Sequence, residues 1–369
     1  MDMVRMVLVG GFLGAGKTTL LAAAGRRLAE RGLKVGFITN DQAAGLVDTA
    51  MLKQTGLEVR EVAGACFCCR FDELIQRTGE FYERTKPDLL MSEPVGSCTD
   101  LSATVLQPIK KFFGDRFRVA PFSVLVDPSR LKQLLSDTES VFSHSVLYVY
   151  SKQLEEADII LLNKSDQLSP DERDWLLKQL RLKFPNAEVA AISAQTGEGL
   201  DAWLDQIMAD RPSMAGRNIL EIDYDTYAEG EALLGWLNAS IKLSSQHSRN
   251  WRDFAFELLR MFKAAFKQRN AEVAHVKLFL TSAETGLVGN LTSTRGMPFI
   301  LVNGKVGPES DNALLILNAR VQMSPADLRH CVEECLAGLA ALNVQSETIN
   351  IDCFSPGRPM PTHRLGAVS

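Results

Sequence analysis

Eight residues near the start, Gly11-Phe12-Leu13-Gly14-Ala15-Gly16-Lys17-Thr18, restrict the fold more than any other stretch. They follow an apolar run over 3–9 and precede an amphipathic segment. The inner stripe of that segment is Leu20, Leu21, Ala24 and Leu28, and Gly32 serves as its stop. A strand that turns through glycines directly into a helix aims successive backbone N–H groups at one point, which makes an anion site. The spacing is G-x-x-x-x-G-K-[ST], so Gly11, Gly14, Ala15, Gly16, Lys17, Thr18 and Thr19 are expected to hold nucleotide phosphates. Lys17 supplies a point charge for the β and γ phosphates, and Thr18 offers its hydroxyl to Mg²⁺.

The first two hundred residues alternate apolar runs with amphipathic stretches, which predicts βαβ units around a mostly parallel sheet with flanking helices, the α/β architecture of P-loop NTPases. Strands are expected over 3–9, 34–39, 58–62, 88–91, 123–126, 159–162 and 188–192. Asn163-Lys164-Ser165-Asp166 follows one of them, and the Asp166 carboxylate suits the guanine N1–H and amine, a donor pair adenine lacks. Ser193-Ala194 ends the next strand, where a backbone N–H reaches guanine O6. Glu93 ends another strand, with Gly96 three residues later. An acid there helps Thr18 hold Mg²⁺, and the glycine's N–H senses the γ-phosphate, so Lys17, Thr18 and Glu93 form the catalytic set. Asn40-Asp41 stands on the same edge as a candidate first switch. Asp127 reads as structural.

A net charge of −5 and a pI near 5.7 argue against a broad nucleic-acid footprint. No stretch has the length and apolarity of a bilayer span, and the apolar start runs straight into the glycine loop, so a cytoplasmic protein is expected. Seven cysteines in such a chain do not suggest a disulfide framework. Three of them, Cys66, Cys68 and Cys69, fall within four residues just after a predicted strand. They read either as soft ligands for Zn²⁺, Cu⁺ or Co²⁺ or as a buried group of packing thiols. On an extended loop Cys66 and Cys68 face one side and lead Cys69 as ligands. At most three ligands come from that loop, leaving a fourth position to water, a second subunit of a homodimer or a client group.

Around 211–216 the composition shifts to Arg, Pro, Ser and Gly and the nucleotide motifs stop, dividing the chain into domains at 1–210 and 223–369 joined by a linker at 211–222. A helix over 251–269, strands near 274–280, 287–292 and 314–321, a helix capped by Ser324-Pro325 and a closing strand over 347–353 predict a smaller α+β, ferredoxin-like domain. His330, Cys331 and Cys335 invite a second metal site, but Leu328, Cys331, Cys335 and Leu342 share a helical stripe that favours core packing. The segment from Phe354 to Arg364 reads as a solvated tail, with client docking as the alternative.

The glycine loop extended to Leu20, Asn40 with Asp48, C-x-C-C, E-x-x-G and N-K-x-D together resemble the CobW family of metal-handling P-loop GTPases, related to the urease and hydrogenase nickel chaperones. The resemblance covers most of residues 1–210. It implies slow GTP hydrolysis to GDP coupled to metal binding, or delivery of a metal or cobalt cofactor to a client metalloenzyme or corrinoid protein. Three departures stand out. Ala65 precedes the first cysteine where relatives carry Gly, Thr39 and Ala44 stand where many carry carboxylates, and the five histidines are scattered. A rival reading is a nucleotide-gated interaction module that acts on a metalloenzyme without itself carrying metal. A small-molecule kinase has no use for Asn163–Asp166.

In direct binding assays Asp166→Ala is expected to lose its preference for GTP over ATP, and Lys17→Ala most of its nucleotide affinity. Comparable binding of ATP and GTP by the unmodified protein would refute the guanine assignment.

Overall fold

The computed structural model describes residues 3–41, 47–54, 58–63, 66–136, 142–209, 214–282, 285–303 and 309–367. The chain forms two compact units. The first comprises Met1–Gln42, Thr55–Gly230 and Arg358–Ser369, and the second Ala43–Gln54 and Glu231–Gly357.

In the first unit β1 (Val4–Gly11) leads into α1 (Lys17–Glu30) and β2 (Val35–Asp41). After α2 (Val47–Gln54), which belongs to the second unit, the chain returns as β3 (Glu58–Ala63), α3 (Phe71–Thr85) and β4 (Leu89–Glu93). A π-helical turn over Ser102–Leu106 opens into α4 (Gln107–Phe113), followed by β5 (Phe117–Val119), β6 (Ser123–Val126), α5 (Pro128–Leu135), α6 (His144–Glu155) and β7 (Ile159–Leu162). Then come α7 (Pro170–Lys183), β8 (Glu188–Ala191), α8 (Leu200–Met208) and α9 (Tyr224–Ala232). The sheet runs β3-β2-β4-β1-β6-β7-β8 with neighbouring strands parallel, and β5 lies parallel beside β1. The predicted parallel sheet is present. Its central strands are apolar on both faces, as helices on both sides require: Met6, Val7, Leu8 and Val9 are fully buried. The three-residue β5 is too short to leave a periodic signal.

The second unit holds β9 (Gly235–Arg249), α10 (Trp251–Gln268), β10 (Val273–Ser282), β11 (Thr285–Leu291), β12 (Phe299–Asn303), β13 (Ser310–Val321), α11 (Pro325–Ala337) and β14 (Val344–Phe354). The antiparallel order β12-β11-β10-β13-β9-β14 contains the ferredoxin-like path β14-β9-β13-β10, with the β11–β12 hairpin added at one edge. Ser324 caps α11 by accepting from Asp327 N–H, and Cys331 and Cys335 belong to the same buried core as Phe262 and Leu317. The helical-stripe reading of those two cysteines holds. His330 lies outside that core and pairs with Glu334. Of Ala43–Gln54, the described part packs within the second unit, where Asp48 pairs with Lys277 and Val47 N–H donates to Asn318 Oδ1 at 3.1 Å.

Residues 211–213 lie outside the described residues, whereas 214–222 belong to the first unit. There the buried Asp158 accepts from Gly216 N–H at 2.6 Å and Arg217 N–H at 3.3 Å.

Glu156, 1% exposed, follows α6 and accepts from Thr99 Oγ1 at 3.2 Å and Ser102 N–H at 3.1 Å. Burial pushes its carboxyl up to about 8, although the Ser102 bond opposes this. A carboxyl raised on folding stabilises most below its unfolded value near 4.5, and that contribution is lost as pH rises through about 8. Urea unfolding of Glu156→Gln and wild type at pH 5, 6.5 and 8.5 should therefore show wild type losing ground to the variant as pH rises. A pH-independent difference would refute the buried protonated acid.

Candidate functional site

The turn after β1 is forced by its glycines. Gly11, Gly14 and Gly16 have φ of 129°, 80° and 99°. A Cβ on Gly11 would meet Leu125 O at 2.4 Å, and one on Gly16 would meet Asn163 Nδ2 at 2.4 Å. Gly16 opens α1 with no side-chain cap, so its first-turn N–H groups point into the loop. Lys17 and Thr18 are buried at the start of the helix, and Thr19 is half-buried beside them. Lys17 Nζ donates to Gly11 O at 2.9 Å and stands 3.9 Å from Glu93 Oε1, which also accepts from Thr18 Oγ1 at 3.2 Å. A Cβ on Gly96 would stand 3.1 Å from Lys17 Nζ and 2.8 Å from Leu13. The structure thus brings Lys17, Thr18, Glu93 and Gly96 together. The crowding admits a phosphate oxygen and no side chain, and the Thr18 and Glu93 oxygens are the hard donors Mg²⁺ takes.

The guanine-side residues form a second connected set. Asn163 Nδ2 donates to Ala15 O at 2.8 Å, while its Oδ1 accepts from Ala194 N–H at 3.0 Å. Lys164, in the left-handed region at φ 58°, reaches Gly14 O at 3.1 Å and Asp127 Oδ2 at 2.5 Å. Ser193 Oγ donates to Asp166 Oδ1 at 2.6 Å, which orients that carboxylate. Asp127 also caps α5 through Ser129 and Arg130 N–H. Burial works against its charge, but Lys164 and these bonds hold its carboxyl below the ordinary range. The structural reading of Asp127 is thereby explained.

The cysteine loop is a tight turn, with Cys69 N–H and Arg70 N–H both donating to Cys66 O, at 3.1 and 3.0 Å. The loop is a turn and not the extended segment expected; Cys66 and Cys68 are buried in it and Cys69 is half-buried beside them. The sulfurs stand 2.9 Å apart for Cys66–Cys68, 3.2 Å for Cys66–Cys69 and 3.8 Å for Cys68–Cys69. Among the described residues this is the one group of three metal-ligating side chains. Hydrogen bonds from the neighbouring thiols, Cys68 first, hold the Cys66 thiol well below its ordinary value. The bond to Cys66 pushes Cys68 up and Cys69 to about 11, with burial adding to both. Asn40, at the end of β2, secures the loop. Its Oδ1 accepts from Phe67 N–H at 2.9 Å and its Nδ2 donates to Val62 O at 2.9 Å. Residues 42–46, 64 and 65 and the Asp41 side chain lie outside the described residues, so Ala44 and Ala65 are not placed.

The family profile for the nucleotide-binding domain of CobW/HypB/UreG matches residues 5–190, half of the chain. The chain belongs to this family. It is 29% identical over 180 residues to the zinc chaperone YeiR of Escherichia coli, covering 47% of this chain and 50% of that protein. It is 27% identical over 251 residues to the zinc chaperone CobW of Pseudomonas aeruginosa, covering 56% and 63%. The match spans less than two thirds of either relative. Among solved structures, Zn(II)-bound YjiA GTPase from E. coli matches at 16% identity and a TM-score of 0.36, over 92% of this chain and 99% of that one. HypB from Helicobacter pylori in complex with nickel matches at 15% and 0.39, over 55% and 84%.

This CobW/HypB/UreG chain has features its motifs do not announce. Residues 358–367 are not a solvated tail; they lie as a strap on the cysteine loop. Met360 N–H donates to Cys69 Sγ at 3.2 Å and Thr362 N–H to Cys68 O at 2.9 Å. The His363 ring sits 5.2 Å from both Phe71 and Phe112, and Leu365 N–H donates to Ala103 O at 2.9 Å. Arg364 Nε donates to the buried Asp100 at 2.8 Å, and Tyr224 OH does so at 2.6 Å. Too few apolar residues suggested a loose tail, yet backbone hydrogen bonds and two ion pairs, Arg364–Asp100 and Arg358–Asp225, dock it. Cys98, buried in the turn after β4, also helps to hold the Cys66 thiol low.

Arg364→Ala removes a charged partner from Asp100, costing about 1–3 kcal/mol. Cys69 alkylation by iodoacetamide is expected to accelerate roughly three-fold or more as the strap opens locally. Unchanged Cys69 labelling would show that the strap does not depend on this contact.

Proposed function

We propose that this chain is a GTPase whose guanine-nucleotide cycle is coupled to a transition metal, Zn²⁺ or Co²⁺, held by Cys66, Cys68 and Cys69 and delivered to a client metalloenzyme or corrinoid protein. One observation carries the reading. Three thiols converge within 3.8 Å on the strand edge that bears the phosphate loop, secured there by Asn40 of the candidate first switch. The similarity to two zinc chaperones supports it.

Lys17 neutralises charge on the β and γ phosphates, and the N–H groups at the start of α1 bind their oxygens. Thr18 and Glu93 would hold Mg²⁺, which when bound neutralises charge on the transferred phosphoryl group. Asn163 keeps the guanine loop and the phosphate loop in one register, and Asp166 reads the base. The sequence supplies no water-positioning Gln after Gly96. Gln153 instead spends its Nε2 on Gly96 O at 3.0 Å. Unaided turnover is expected at about 10⁻³ to 10⁻⁴ s⁻¹, and a rate near ~1 s⁻¹ would contradict this assignment of parts.

Thiolates favour Zn²⁺ or Co²⁺ over Mg²⁺, and metal must displace protons from these sulfurs, so affinity falls as pH falls. Coupling is reciprocal: whatever factor GTP applies to metal affinity, metal applies to GTP affinity. The test titrates Zn²⁺ or Co²⁺ into the GDP and GTP-analogue forms of the wild type, with Cys66→Ser/Cys68→Ser as control. Affinities should differ at least five-fold between nucleotide states and collapse in the control. Equal metal binding by the control would leave the cysteines as packing. Identical affinities in both states would leave a metal site without a switch.

A further inference from the structure

Helix α2 lies within the sequence of the nucleotide-binding half but folds with the second unit. It begins at Val47, a few residues after Asn40, which ends the strand bearing the candidate first switch. The second unit has a seat for it. On β10 Val276, Leu278 and Leu280 belong to the core shared with α10 and α11, and on β13 so do Leu315, Leu317 and Ala319. Side chains alternate along a strand, so Lys277, Phe279, Asn318 and Arg320 stand on the opposite face. There α2 lies against β10, β11 and β13.

Two kinds of contact fix the helix. Val47, Met51 and Leu52 are buried, as are Phe279 and Val288, which are cross-strand partners on that face. The second kind is polar. Asp48 pairs with Lys277, itself only 7% exposed, and Val47 N–H donates to Asn318 Oδ1 at 3.1 Å. Asn318 Nδ2 in turn donates to Asn238 Oδ1 at 2.8 Å, which also accepts from Arg320 at 3.0 Å. Burying a lysine ammonium is costly without a partner, and Asp48 is the carboxylate that α2 brings to it. Directional bonds at the first turn therefore fix where α2 starts, which apolar contacts alone would not.

We propose that Lys277 and Asn318 of the second unit are positioning residues for the first switch, acting through α2 on the affinity for the γ-phosphate. The inference rests on the guanine-nucleotide reading above. Neither residue belongs to the phosphate, guanine or cysteine loops. One end of the switch is held at Asn40, bonded to Val62 O and Phe67 N–H, and the other at Val47. Pinning both ends of a short segment removes conformational freedom before any nucleotide binds. A γ-phosphate that orders the segment then does so at a smaller entropic cost, whereas GDP makes no such demand. Seating of α2 thus favours GTP over GDP, and by linkage GTP favours the seated helix.

Hydrogen exchange on the full chain tests the linkage without any substitution. Amides of residues 47–54 should exchange about five-fold or more slowly with a non-hydrolysable GTP analogue than with GDP. Equal protection in the two forms would overturn the proposal. Nucleotide titrations then compare wild type with Lys277→Met, which keeps a side chain of similar length and removes its charge. The GTP-analogue affinity should fall about five-fold or more while that for GDP stays within about two-fold, a split that general loss of stability does not produce. Unchanged exchange of β10 and β13 amides checks that the second unit stays folded. Lys277→Arg should restore most of the preference, and Asp48→Asn with Lys277→Met should be no worse than Lys277→Met alone, as one ion pair requires. A wild-type ratio of GTP-analogue to GDP affinity in Lys277→Met would return the pair to a purely structural role. Equal binding of GTP and ATP analogues by the unmodified protein would instead strike the guanine reading, so the two failures are distinct.

Discussion

Where a parallel strand stops, its ladder of hydrogen bonds ends, yet the loops that follow are buried and their backbone groups still need partners. The carboxyl edge of the first unit is built around that demand. A carboxamide answers it well, because one side chain both donates and accepts. Asn40 does so between Val62 O and Phe67 N–H, and Asn163 between Ala15 O and Ala194 N–H. Gln153 takes two carbonyls of the Gly96–Cys98 turn, and Glu156 takes the Ser102 N–H just beyond it. Loops that would otherwise move independently are thereby held to one another.

The thiol group adds a second constraint. Sulfurs this close cannot all be charged, so one thiolate is stabilised at the expense of its neighbours, which is why Cys66 moves down while Cys68 and Cys69 move up. A divalent ion relieves the conflict by replacing the shared protons. On the proposed metal reading, the same closeness that is awkward electrostatically without metal would favour the loaded form.

What the sequence revealed follows the range of the forces involved. The phosphate loop is legible because its glycines meet local backbone demands, and the central strands because burial on both faces leaves unbroken apolar runs. The ferredoxin-like path showed through α10 and α11, whose caps are local. By contrast, β9 was missed although its signal is local: Leu237, Ala239, Ile241 and Leu243 alternate with Asn238, Ser240, Lys242 and Ser244, the period-2 pattern of a half-buried strand. The strap escaped because its adhesion is hydrogen bonds and two ion pairs, which composition does not register.

That strap also sets a timetable. Cys69 and Met360, joined by one hydrogen bond, are 291 positions apart in the chain. At a synthesis rate of about 5–20 residues per second, the cysteine loop emerges and waits on the order of 15 to 60 s before its cover exists. During that interval the sulfurs stand open to whatever metal or oxidant the nascent chain meets. Afterwards, exchange at the loop has to contend with the cover.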